Sequence, residues 1–217
     1  MEKKTKNFVC GIVFTVLAIA FTILIKFVDV QAIGPENSAV GFATLNGFIA
    51  NVIGSNVSWY HITEILGLAP LMVVVSYALI GVIQLIKRKS LLKVDNEIIS
   101  LGIFYVILAI IYVFFEKCII NYRPILIDGV LEASYPSSHT MLAIFVCVSA
   151  MIVNKNLIKN TNLRKGLEVL LTIIGITIVF GRMISGVHWC TDIIAGGLFS
   201  IALIEFFETM YTKSEKE

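Results

Sequence analysis

The sequence predicts an all-α integral membrane protein, a bundle of six transmembrane helices, and three observations lead there. Of its 217 residues, 58% are hydrophobic and 15% charged, with a mean hydropathy of +0.91. A soluble domain would be roughly half apolar and a quarter charged. Six apolar stretches reach the roughly 20 residues that a spanning helix needs. Lysines and arginines collect in alternate loops, as they do around membrane spans.

The first span is expected at about 8–28. Its apolar run from Phe8 to Ile25 exceeds the roughly 7–15 residues of a secretory h-region, and no A-x-A-like site follows, so it reads as a retained helix. The next loop, 29–62, holds no Lys or Arg and carries Asp29, Glu36 and the half-apolar VGFATLNGFIANVIG. Residues 40–54 fit either an interfacial helix or a loop packed on the bundle. Trp59, Tyr60 and His61 read as an interfacial aromatic belt. Further spans are expected at about 63–86, 98–118, 137–153, 166–184 and 190–210. The fourth is opened by Pro136, Ser137 and Ser138, a helix-start signature. Gly186 lets the chain turn from the fifth span into the sixth. With no internal repeat and no long soluble segment, the whole chain, 1–217, reads as a single membrane domain.

Lys3, Lys4 and Lys6 precede the first span, Lys87, Arg88, Lys89 and Lys93 separate the second from the third, and Lys155, Lys159, Arg164 and Lys165 the fourth from the fifth. The positive-inside rule then places both termini in the cytoplasm and loops 29–62, 119–136 and 185–189 outside. The four cysteines form no CxxC pair and sit in or beside apolar segments, where a free thiol behaves as a small hydrophobe. Whether Cys118 and Cys190 pair is left open.

Topology does not explain Lys117, Arg123 and Arg182, three cations on the outward side. They belong to three stretches, KCIINYRP, YPSSHT and GRMISGVHWCTD, which also hold His139, His188 and Asp192. Ionisable groups near membrane depth are costly and mark function. His188 and Asp192, four apart, share one helix face, where a carboxylate fixes an imidazole's tautomer. Free N–H groups at the Ser137–Ser138 helix start favour an anion, and guanidinium groups suit phosphate. An outward site with these groups suits a phosphate ester: cations hold the phosphoryl oxygens, one His attacks and the other protonates the leaving oxygen. His139, His188, Cys190 and Asp192 could by type ligate a metal, but three cations would repel it, so no metal is expected. Asp128 and Glu132 read as solvated loop charges. Tyr122 and Trp189 fit either a headgroup pocket or interfacial anchoring.

The three stretches resemble the signature of the type 2 phosphatidic acid phosphatase family: a Lys followed by Arg-Pro, a Pro-Ser-Gly-His motif, and Ser-Arg, His and Asp in order. Here the third reads Gly181-Arg182, five residues, His188, three residues, Asp192. The resemblance covers about 98–205. The chain departs from the pattern in having five residues rather than six between Lys117 and Arg123, with Glu116 at the usual Lys position, Ser138 in place of Gly, and Gly181 in place of Ser. The resemblance implies a six-span lipid phosphatase with its active site at the outer membrane face. It implies His188 as nucleophile, Asp192 as its orienting carboxylate and His139 as proton donor. Lys117, Arg123, Arg182, Ser137 and Ser138 would bind the phosphoryl group, with no cofactor and no metal. The expected partner is a lipid phosphate held in the bilayer, with no nucleic acid involved. Candidate substrates by resemblance are undecaprenyl diphosphate, phosphatidylglycerol phosphate and phosphatidic acid. A composition rich in Lys, Asn and Ile suggests a low-GC bacterium and favours the first. The alternative from another class is a non-catalytic transporter or binding protein for an anionic lipid headgroup, which would use the same cations without turnover.

Overall fold

A computed structural model describes residues 2–211. Its α-helices are α1 (Glu2–Phe27), α2 (Ala43–Ile53), α3 (Val57–Leu66), α4 (Leu68–Arg88), α5 (Asn96–Lys117), α6 (Ser138–Leu157), α7 (Thr161–Ile184) and α8 (Cys190–Tyr211). Six helical stretches are long and apolar enough to cross a membrane, with α3 and α4 counted as one stretch from Val57 to Arg88. In lipid no water satisfies backbone polar groups, so an apolar chain of this kind has the helix as its local solution. The expected spans are all present. The second begins earlier than its hydropathy suggests, at Val57, and breaks at Gly67. Trp59, Tyr60 and His61 therefore lie on a helix rather than in a loop.

The helix ends follow local chemistry. Asn56 accepts a hydrogen bond from the Trp59 N–H at 3.1 Å and so starts α3. The Asn160 side-chain oxygen Oδ1 does the same for α7, accepting from the N–H groups of Asn162 and Leu163. Half of the most apolar stretch of α6 and of α8 is buried, against 17% in α1, so these two form the centre of the bundle. Where they touch, the residues are small: a Cβ on Gly196 would stand 3.1 Å from Thr140 Cβ, and Ser200 Oγ is 3.2 Å from Met141 O, which allows close backbone approach where the hydrophobic effect cannot drive helices together. Phe207 meets both Phe104 and Phe145 edge to face, with centroids 5.8 and 6.3 Å apart. The buried Tyr77 hydroxyl donates to Asn154 Oδ1 at 2.8 Å, as a polar group away from water must. Phe8, Val16, Ile23, Met72, Val106 and Phe180 point outward, the arrangement of a lipid-facing surface.

Six successive spans put α2, the 118–137 loop and the 185–189 loop at the end of the bundle away from the start of α1 and the end of α8. The 40–54 segment is helical over Ala43–Ile53 and is fastened to α8 by Asn46, whose amide nitrogen donates to Thr191 Oγ1 at 2.9 Å. The 118–137 loop folds back on itself through the Tyr122–Ala133 pairing and a 3.0 Å bond from Arg123 N to Glu132 O. All four cysteines are free, so Cys118 and Cys190 do not pair. Gly186 makes the turn from α7 toward α8 at φ +71°, and a Cβ there would stand 2.8 Å from Gly54 O and 2.9 Å from Ser55 Cα.

Gly186→Ala therefore carries both left-handed strain and a backbone collision. It should cost about 1–3 kcal/mol and lower the midpoint of thermal unfolding in detergent. An unchanged midpoint would show that the turn tolerates a side chain.

Candidate active site

The site forms where the ends of α3, α6, α7 and α8 meet the 118–137 loop. Arg182, in the last turn of α7, is fully buried. Its Nη2 donates to the Glu64 carboxylate and lies 2.6 and 2.7 Å from His139 Nδ1 and Nε2. Tyr60 offers its ring face to the guanidinium at 5.6 Å, a further cation-stabilising contact. The Nε and Nη1 of Arg182 are buried without a hydrogen-bond partner. The contact with α3 depends on Gly181. A Cβ at that position would collide with Thr63 Cγ2 and stand 3.0 Å from the Trp59 ring. The serine of the resembled pattern would force the two helices apart.

His188, in the loop between α7 and α8, is buried. Its Nδ1 is 3.0 Å from Ser134 O and 3.7 Å from Asp192 Oδ2. A carbonyl has no proton to give, so Nδ1 carries the hydrogen and Nε2 keeps its lone pair. That Nε2 is buried and has no partner. Burial pushes the His188 pKa well below the ordinary imidazole range, and the nearby Arg123 and Arg182 charges push it the same way, while the Ser134 carbonyl opposes them. The ring is thus neutral at pH 7, with a free nucleophilic nitrogen.

Asp192, fully buried in the first turn of α8, accepts from Trp189 N at 2.9 Å and from Asn121 Nδ2 at 3.4 Å. Its link to His188 is electrostatic rather than a direct hydrogen bond. Trp189 is pinned in turn by its Nε1, which donates to Tyr122 O at 2.7 Å. Arg123 faces Glu132 at 2.9 Å without hydrogen-bond alignment, and its Nη1 is buried and unpartnered. Glu132 is therefore a counter-ion rather than a free loop charge.

The sequence-derived residues do not all gather. Arg123, Ser138, His139, Arg182, His188 and Asp192 surround one region. Ser137 is buried, and its Oγ caps α6 by accepting from Thr140 N at 3.4 Å. Ser138 is the first helical residue of α6, outside the left-handed region, so the position needs no glycine. Lys117 ends α5 as an exposed side chain and lines none of the cavities around the histidines. Glu116 does line one, beside Arg123, Ser138 and His188. Sequence reasoning missed Glu64, Ser134 and Asn121. Among the described residues no group of three His, Cys, Asp or Glu is placed to hold a metal ion.

Three cavities reach the site. One of about 390 Å³ lies between α2 and the 185–189 loop and is lined by Asn46, Asn51, Ser55, His188 and Trp189 among others. A second, of about 470 Å³, runs along α4, α5 and α6 between apolar walls such as Leu68, Leu71, Leu108 and Leu142, and ends at Glu64, Ser138 and His139. Against Arg123, Ser138 and His188 the free space shrinks to about 20 Å³, roughly one water by that measure.

A family model described as the PAP2 superfamily matches residues 98–216, more than half of the chain. No curated protein matches. Among solved structures the chain is similar to the crystal structure of a transmembrane PAP2-type phosphatidylglycerolphosphate phosphatase from Bacillus subtilis. The TM-score is 0.61 at 19% sequence identity, covering 100% of this chain and 98% of that one. That likeness shows the shared helical membrane fold.

The depressed pKa of His188 has a consequence for stability. Below an unfolded-state value of about 6.5, the unfolded chain takes up a proton that folded His188 refuses. The stability this group supports is therefore present above that pH and lost as the pH falls. The thermal midpoint should drop between pH 7 and pH 5, and His188→Gln should flatten that drop. The same pH slope in both proteins would refute the assignment.

Proposed function

The chain belongs to the PAP2 superfamily, as a multi-pass membrane member, and from that premise we propose that it hydrolyses a lipid phosphate or diphosphate through a phosphohistidine intermediate. One observation carries this reading. Arg123 and Arg182, whose charges both act on His188, keep unpartnered buried donors, and His188 Nε2 is itself unpartnered. Buried donors without partners are costly, and a phosphoryl group would satisfy those of both arginines while presenting its phosphorus to the imidazole.

In the first step His188 Nε2 attacks phosphorus, the bond from phosphorus to the leaving oxygen breaks, and His139 gives that oxygen a proton. In the second, His139 takes a proton from water, the hydroxide displaces His188 from phosphorus, and orthophosphate leaves. Arg123 and Arg182 hold the equatorial oxygens throughout, where charge accumulates. Ser134 keeps His188 in the reactive tautomer, and Asp192 supplies negative charge beside the ring as it becomes cationic. No step calls on a metal ion. The apolar cavity that ends at His139 favours a substrate whose tail stays in the bilayer. The lysine and arginine distribution favours cytoplasmic termini and an outward-facing site.

Undecaprenyl diphosphate, phosphatidylglycerol phosphate and phosphatidic acid form the test panel. The solved PAP2-type structure, described as a phosphatidylglycerolphosphate phosphatase, supports keeping the second beside the compositionally favoured first. Purified protein should release phosphate from at least one of them, in EDTA as well as without it. His188→Ala should lower the rate about 10³-fold or more. Rapid quench should trap an acid-labile phosphoenzyme in the wild type alone. Full activity in the variant would sink the nucleophile, and turnover without any phosphoenzyme would sink the covalent route.

A further inference from the structure

Glu64 stands on the same cation that the proposed chemistry needs. One of its carboxylate oxygens accepts from Arg182 Nη2, and the other lies 3.8 Å from His139 Nε2. It thus spans the group that would hold a phosphoryl oxygen and the group that would protonate a leaving oxygen. Arg182 is wholly buried while the Glu64 side chain is 40% exposed, so the carboxylate is the partner free to move. It also lines the mouth of the apolar cavity, where Ser138 and His139 face the space that a lipid headgroup would use. The α3 segment that carries it is fixed on both sides. Thr63 and Trp59 press on Gly181, and Asn56 N donates to Ser185 O at 3.2 Å.

Resting on the phosphatase reading, we propose that Glu64 is an internal anion that neutralises Arg182 in the free protein and is exchanged for the phosphoryl group when substrate enters. Two negative groups cannot share the Arg182–His139 gap without strong repulsion, so substrate binds only to the fraction of molecules whose Glu64 has swung away. The apparent affinity for any phosphate is reduced by that fraction. The same exchange run backward returns Glu64 to Arg182 and expels orthophosphate at the end of each turnover. Glu64 is in these terms a positioning residue that sets phosphate affinity and release. It does no proton transfer of its own.

The experiment titrates orthophosphate against the thermal unfolding of the full chain in detergent, for wild type, Glu64→Gln and Glu64→Asp. Glu64→Gln should unfold at a lower temperature without phosphate, because a buried guanidinium has lost its counter-charge. It should be restored by phosphate at a concentration at least about tenfold below that needed by the wild type. Glu64→Asp keeps the charge on a shorter stem and should fall between the two. If the glutamine variant cannot be recovered folded, the aspartate variant decides alone, with at least about threefold tighter phosphate expected from the same competition. In turnover, KM for the lipid phosphate should fall in Glu64→Gln without a rise in kcat. A glutamate that was only structural would lower stability and leave phosphate affinity and KM where they were. Unchanged or weaker phosphate affinity in the variants, or no phosphate effect on any of the three proteins, overturns the inference. Tighter phosphate in the variants of a protein that hydrolyses no lipid phosphate would remove the phosphatase reading and leave the exchange standing. Hydrolysis with unaltered phosphate affinity would do the reverse.

Discussion

A guanidinium cut off from water has to find its anions inside the protein, and the end of the bundle that carries α2 and the 118–137 loop is arranged around that need. Arg182 is buried at the end of α7 with two of its three nitrogens unpartnered. An isolated charge in such a place would cost several kcal/mol. The bare backbone at Gly181 lets α3 come close enough to deliver Tyr60 and Glu64 to the cation. The first turn of α6 brings His139 from the other side. Moving α3 away would leave the same charge stranded.

The histidine and aspartate of the second half divide their tasks differently from a hydrogen-bonded pair. The Asp192 carboxylate is consumed by its own helix start and by Asn121. That satisfies a buried anion, whose oxygen stays 3.7 Å from His188 Nδ1, beyond hydrogen-bond reach. Orientation of His188 falls instead to a main-chain carbonyl, at Ser134. A peptide oxygen holds the tautomer whatever side chain stands there, and it raises the basicity of the ring by less than burial and the two arginines lower it. The imidazole therefore stays neutral between two arginines, a state in which it can attack.

Much of this was legible in the sequence, and the gaps have physical causes. The spans could be read because lipid leaves the backbone one solution, so hydropathy and length suffice. Arg123, Arg182, His139, His188 and Asp192 could be read because ionisable groups at membrane depth demand a reason and their spacing supplied one. Ser134 and Asn121 could not, since one acts through its carbonyl and the other through an amide that resembles any loop polar group. Glu64 sits 118 residues from Arg182 in the chain, inside a run whose aromatic residues suggested an interfacial belt, and nothing local announces its partner. Glu132 looked like a loop charge because its pairing with Arg123 depends on the loop folding back. For Lys117 the signal was present: its shifted spacing puts it one position round the helix, on the exposed side, and brings Glu116 to the cavity instead.

Asn46 ties the helix that roofs the site to the first turn of the last span. Its amide nitrogen reaches Gly41 O at 2.8 Å and Thr191 Oγ1 at 2.9 Å, and its oxygen accepts from Thr191 N at 3.2 Å. Thr191 lies next to Asp192, so the roof is riveted to the floor beside His188. The compliance of the site is consequently lodged in one side chain: α2 is tied to α8 and α3 to α7, and the partly exposed Glu64 carboxylate is the group left with room to move.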